Sequence, residues 1–230
     1  MKFITFFLFL TNLLYSQIHN GKVTYKVVVT ENKEISNKNP IAKDFYIDAI
    51  ENSKKIEFNL VFDSINSFFN KVEKLDIDDK KDLFSIKLTQ YNGAINQKNK
   101  KKYIIEKEYF NGINYVENPI KTNWVFLNET KTIGDYECYK AKLMYKDGIY
   151  NAINKEREVT AWYCPQIPFS YGPLGFGGLP GVILELHYAE VVYGASKLEI
   201  NNKDLQIPTF DTKKTISPEE YKKIIEKFKQ

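Results

Sequence analysis

Apolar residues at every second position, in short runs broken by turn signals, constrain most strongly what this chain can fold into. Val23, Tyr25, Val27 and Val29 alternate with Thr, Lys and Val, and Ile56, Phe58, Leu60 and Phe62 repeat the pattern. Asp63 to Asn66 turns the chain into Ser67 to Leu75. Phe84, Ile86 and Leu88 form another alternating run that ends at Asn92-Gly93. Asn111-Gly112 sits between Tyr103 to Phe110 and Ile113 to Val116, a strong hairpin signal, because a type I′ turn needs positive φ at both central residues. Trp124 to Asn128 follows. Gly134-Asp135 then leads into Tyr136 to Tyr145, and Val159 to Tyr163, Val182 to His187 and Ala195 to Ile200 continue the series. About ten hairpin-linked strands predict a mainly β (α+β) domain, built as a single strongly curved antiparallel sheet or half-barrel.

Between the strands, Glu31 to Ser53 reads as a polar loop with a short helix near Phe45 to Ile50, and Asp76 to Lys81 reads as a charged connection. One helix is well signalled. Ser217 caps it, Pro218 suits its first position, and Glu220 completes a capping box. Tyr221, Ile224, Ile225 and Phe228 then share one face, which makes this a C-terminal amphipathic helix that packs on the sheet or shields an edge.

Residues 1–16 read as a secretory signal peptide. Met1-Lys2 is a positive start, Phe3 to Leu14 is an apolar run, and Tyr15-Ser16 precedes the cleavage point before Gln17. The run is too short for a stable membrane helix, and no cysteine lies near the cleavage point to carry a lipid. The expectation is one mature domain over 17–230, exported across the inner membrane to the periplasm or beyond, with no transmembrane segment and no lipid anchor.

The formal charge of +4 falls by one with Lys2, and Arg157 is the only arginine. Guanidinium is the usual tool for bidentate phosphate and base-edge recognition, so nucleic acid is not an expected partner. The lysine-rich run Lys98 to Lys102 reads as solvated loop charge. His19 and His187 are the only histidines, and no HExxH, CxxC, GxSxG, P-loop or dinucleotide-binding glycine pattern is present. Glu185 and His187, two apart on a strand, share a face and form either an acid–base pair or a structural one. The chain is therefore expected to be non-catalytic, with no metal and no cofactor.

Four of the eight prolines and five of the eleven glycines fall between Ala161 and Leu186, so this stretch concentrates the chain's turn-forming residues. Leu179-Pro180-Gly181-Val182 fits a type II turn, with Pro presetting φ and Gly supplying positive φ. Phe169, Tyr171, Leu174, Phe176 and Leu179 place large apolar groups in what would otherwise be an exposed connection. The stretch is then a plug on the core, a lid over an apolar cavity, or a docking surface. As a lid, its ligand-binding residues are Phe169, Ser170, Tyr171, Gly172, Pro173, Phe176, Leu179, Pro180 and Gly181.

Cys138 and Cys164 are the only cysteines, and an even count in an oxidising compartment suggests a bridge. If their strands form a hairpin, pairing Cys138 with Cys164 also pairs Met144 with Glu158, so the register permits a cross-strand disulfide worth roughly 3 kcal/mol in the chain-entropy account. One residue of slip leaves them as two unpaired thiols on opposite faces.

Gly177-Gly178-Leu179-Pro180-Gly181-Val182-Ile183 resembles the signature of the GLPGLI family of Bacteroidetes envelope proteins, with Val182 where the family name implies Leu. Trp124 to Ala141, Thr160 to Tyr163, Ile167 to Ser170 and Gly172-Pro173 resemble the segments that lead into it. More loosely, the hairpin order and the Gly-Asp-Tyr-x-Cys then Thr-x-Trp rhythm resemble LolA-like periplasmic carriers. The resemblance implies an envelope protein that acts as a binding or carrier module for an apolar ligand or envelope peptide. The alternative is a structural or protein-interaction component with no small-molecule ligand.

Overall fold

The computed structural model describes residues 18–34, 40–73, 79–98, 101–106, 114–120, 122–146, 156–208 and 215–228. The leader, the Asn111-Gly112 turn and the segment around Asp147-Gly148 lie outside the described residues. Chain order runs β1 (Asn20–Val29), α1 (Pro40–Ser53), β2 (Glu57–Asp63), β3 (Asn66–Lys71), α2 (Asp79–Leu88), β4 (Ala94–Lys98), β5 (Lys101–Glu106) and β6 (Asn114–Pro119). The second half continues with β7 (Val125–Ile133), β8 (Tyr136–Lys146), β9 (Glu156–Cys164), β10 (Val182–Tyr188), β11 (Val191–Ile200), β12 (Thr215–Ile216) and α3 (Pro218–Phe228).

The described strands form one mainly antiparallel sheet in the order β12-β6-β5-β4-β3-β2-β1-β11-β10-β9-β8-β7. It stays open, with β12 and β7 as its edges. Two meanders run outward from the middle, one from β1 to β6 and the other from β11 back to β7. They join where β1 pairs antiparallel with β11, as at Val27 opposite Tyr193. Only β12 against β6 is parallel.

Alternation explains the core. Val23, Tyr25, Val27 and Val29 of β1, Phe58, Leu60 and Phe62 of β2, Phe69 of β3 and Tyr193 of β11 are all buried in one apolar cluster. Phe58 stacks on Phe69 at 5.5 Å and meets Tyr193 edge-on at 5.1 Å, arrangements that suit the aromatic quadrupole. The buried tyrosine hydroxyls find carbonyls, Tyr25 donating to Ile183 O at 2.6 Å and Tyr193 to Thr89 O at 2.8 Å.

Two objects cover this inner face. One is the α1–α2 pair, where Tyr46, Ala49 and Ile50 are buried and Phe45 stacks on Phe84 at 5.2 Å. The other is the Gly/Pro stretch. At the C-terminus the capping box forms as the sequence predicts: Glu220 N donates to Ser217 Oγ at 3.2 Å, and Ser217 N to Glu220 Oε2 at 2.9 Å. Tyr221 buries against the sheet beside β6.

Some expectations need correction. Phe84, Ile86 and Leu88 lie on α2, not on a strand. A five-residue window with apolar groups at i, i+2 and i+4 fits either period, and packing against α1 selects the helix. That helix also absorbs the part of the charged connection from Asp79 to Lys81. The helix expected near Phe45 begins at Pro40 and runs 14 residues. The run Lys98 to Lys102, read as loop charge, sets Lys98 at the end of β4 and Lys101 and Lys102 at the start of β5.

Candidate functional site

The chain from Pro165 to Gly181 folds back over the inner face between β9 and β10. Its apolar side chains point inward: Leu174 and Phe176 are each 6% exposed and Leu179 is 1% exposed. Phe169 meets Phe62 at 5.0 Å, while Phe176 meets Tyr145 at 5.2 Å and Tyr188 at 5.5 Å. Of the other residues assigned to the lid reading, Tyr171 is half-buried, Gly172, Pro173 and Gly181 are buried, and Ser170 and Pro180 face solvent. The stretch is packed as a plug.

Polar contacts hold its backbone. Gln97 Nε2 donates to Gly175 O at 2.7 Å, and Ser67 Oγ donates to Gln97 Oε1 at 3.1 Å. The Trp124 indole N–H donates to Gly177 O at 2.8 Å. Within the plug, Tyr171 and Gly177 form an isolated antiparallel bridge, and Gly178 N donates to Ser170 O at 3.2 Å. These contacts satisfy carbonyls and amides that a buried loop would otherwise strand.

The type II turn expected at Leu179 to Val182 is not what forms. Gly181 does not adopt positive φ, and Val182 N donates to Ile167 O at 3.0 Å. The left-handed positions are Leu174, Gly175 and Gly178. Gly181 is required for a different reason. A Cβ there would stand 2.0 Å from the Cys164 carbonyl oxygen, with backbone on every near side.

Cys164 is thus the root of the plug. Its carbonyl lies under Gly181 and accepts from Ile167 N at 3.2 Å. On β8 and β9 the register sets Met144 opposite Glu158 and Tyr139 opposite Tyr163, so one step further Cys138 faces Cys164. Both are fully buried free thiols, Cys138 Sγ donating to Tyr136 O at 3.7 Å and Cys164 Sγ to Gln166 Oε1 at 3.8 Å. The neighbouring Cys138 thiol draws the Cys164 thiol below its ordinary range, while the Cys164 thiol and burial push Cys138 well up.

Above the cysteines, the outer face carries a polar cluster. Lys131 Nζ lies 4.5 Å over the Trp162 ring and donates to Glu185 Oε1 at 2.6 Å, a cation–π contact joined to an ion pair. Lys140 Nζ approaches the same ring at 5.5 Å and pairs with Glu129 at 2.8 Å. His187 Nε2 lies 2.5 Å from that same Glu185 Oε1, so the sharing of a face expected for Glu185 and His187 holds. The hydrogen bond with His187, then Lys131, holds the Glu185 carboxyl below its ordinary range against the opposing effect of burial. Among the described residues, no three His, Cys, Asp or Glu side chains gather to hold a metal ion.

Sequence reasoning missed Gln97, Ser67 and Lys131. For Gln97 a signal exists: Ile95 and Gln97 alternate after a glycine turn, and a glutamine at an inward position is a buried polar group that needs a partner. Nothing local marks Lys131, whose partners lie on β9 and β10.

No curated protein matches the chain by sequence. Two solved structures of PNGF-II, in the P21 and C2 space groups, share its fold, with TM-scores of 0.53 and 0.54 at 14% identity over 91% of this chain. The chain spans 33% of the length of either, so it corresponds to one part of a longer protein. The likeness to LolA-like carriers rests on the sequence rhythm alone. Residues 146–185, which hold β9, the plug and the first half of β10, match the family described as "Protein of unknown function (Porph_ging)", the loose counterpart of the GLPGLI resemblance.

Proposed function

We propose that this chain is a non-catalytic structural or protein-interaction module of the cell envelope, in which the Gly/Pro stretch completes the core and does not act as a lid over a carried ligand. The observation that carries this reading is the near-complete burial of Leu174, Phe176 and Leu179 against aromatic side chains of the sheet. An apolar ligand under the stretch would have to displace these groups. The apolar leader at residues 1–16 supports export. The likeness to a third of PNGF-II supports a module that recurs within longer chains. On the outer face, both contacts to Glu185 Oε1 are ones a structural ion-pair network makes, which supports a non-catalytic role.

The test compares native and denaturing mass spectra of the mature protein. Equal masses, with no saturable uptake of a fluorescent fatty-acid probe, are the expected result. Extra mass in the native spectrum alone, or stoichiometric probe binding, would restore the carrier reading.

A further inference from the structure

The β8–β9 hairpin brings together the chain's only two cysteines on adjacent strands. The last register pair before them is Tyr139 opposite Tyr163, and the same register places Cys138 opposite Cys164. Strand alternation sets both on the face that carries Lys140 and Trp162. Both are fully buried, so neither sulfur faces bulk solvent. Directly opposed antiparallel residues have Cα atoms about 4.5–5.5 Å apart, inside the span a disulfide bridges.

We propose that Cys138 and Cys164 form an intramolecular cross-strand cystine that ties β8 to the root of the plug. Cys164 is the last residue of β9, its carbonyl receives Ile167 N, and Gly181 closes over that carbonyl. A bond at this sulfur therefore fixes the point from which the plug leaves the sheet and to which it returns at Val182, opposite Cys164 on β10. Without the bond, β8 and β9 are held at this end by backbone pairing, the Tyr139–Tyr163 ring contact at 6.1 Å and Lys140 over Trp162, next to the edge strand β7.

The chemistry needs a disulfide oxidant, small molecule or protein. The Cys164 thiolate, favoured by its contact with Cys138, attacks one sulfur of the oxidant; a mixed disulfide forms and one thiolate leaves. Cys138 gives its proton to solvent base and attacks Cys164 Sγ, and the second thiolate leaves. The cysteine pair loses two electrons, and the oxidant becomes two thiols. Because both sulfurs are buried, the bond closes during folding and only slowly in the native state.

The test refolds the reduced protein in a mixture of reduced and oxidised glutathione, then alkylates it under denaturing conditions and records the intact mass. Setting the glutathione ratio makes the result independent of the compartment and of the proposed function. A monomer that accepts no alkyl group and is two hydrogens lighter than the reduced chain is expected, and reduction should lower its Tm by about 10 °C. Two alkyl groups, a glutathione adduct on one cysteine or a cross-linked dimer would overturn the pairing. A cystine whose reduction leaves Tm unchanged would overturn its role at the plug.

Discussion

Gln97 on β4 and Gly175 in the plug, 78 residues apart in the chain, are joined by a hydrogen bond of 2.7 Å from the Gln97 amide to the Gly175 carbonyl. Gln97 also accepts from Ser67 and is buried. One side chain therefore satisfies polar groups on two elements where water does not reach. Replacing it with Leu leaves the Ser67 hydroxyl and the Gly175 carbonyl unpaired, at a cost of about 1–3 kcal/mol for each stranded group. Gln97→Leu should lower the denaturant midpoint, and limited proteolysis should cut the plug sooner than in the wild type. An unchanged midpoint would mean that water replaces both partners.

Gly181, Gly134 and Pro180 separate steric need from backbone preference. At Gly181 an added Cβ meets Cys164 O at 2.0 Å and Cys164 C at 2.4 Å. Gly181→Ala should therefore cost upwards of about 3 kcal/mol, and Gly181→Val more, because backbone cannot step aside as a side chain can. Gly134 has positive φ but nothing within 4 Å of an added Cβ, so Gly134→Ala should cost only about 1 kcal/mol. Pro180 is exposed, and Pro180→Ala should lose about 0.4–1 kcal/mol through the unfolded chain. Chemical denaturation of the three alanine variants should rank them in that order.

Glu185 predicts a pH dependence. Its folded-state pKa is depressed by His187 and Lys131, so its stabilising contribution is fully present above the unfolded value of about 4.3 and is lost as pH falls through the folded value. Melting curves of wild type and Glu185→Gln should therefore lie furthest apart above about pH 5 and converge as the medium is acidified below about pH 4. A constant offset across that range would assign the effect of the variant to packing.

Tyr25 is fully buried, and its hydroxyl reaches Ile183 O at 2.6 Å, joining β1 to the strand that follows the plug. Burial raises its pKa well above the ordinary value, so it remains a neutral donor. Tyr25→Phe keeps the ring contact with Phe69 and removes only the donor, at about 1–2 kcal/mol. Urea unfolding should show a lower midpoint with an unchanged slope.

Much of the fold is legible locally. Val23 to Val29 and Phe58 to Phe62 announce their inward faces by a two-residue period, and the Ser217–Glu220 box announces a helix start through side chains three apart. The cysteine register follows from counting positions outward from a hairpin. Phe84, Ile86 and Leu88 show where such reading stops, because a short apolar window satisfies both periods until Phe45 of α1 packs on it.

The candidate site was legible in composition but not in mechanics. The glycines and prolines between Ala161 and Leu186 mark a bent, close-packed segment, yet they do not say that Gly181 is required by the Cys164 carbonyl and not by its own φ. That depends on two strands returning to the same point. Alternation, capping and turn chemistry are properties of near neighbours, so the sequence by itself determined the β-rich class, the strand faces and the bends. The joining of β1 to β11, the seating of the plug on Gln97 and Trp124, and the meeting of Lys131 with Trp162 and Glu185 were decided only by the tertiary structure. Each brings together groups distant in the chain, and only the burial of a shared core sets their distances.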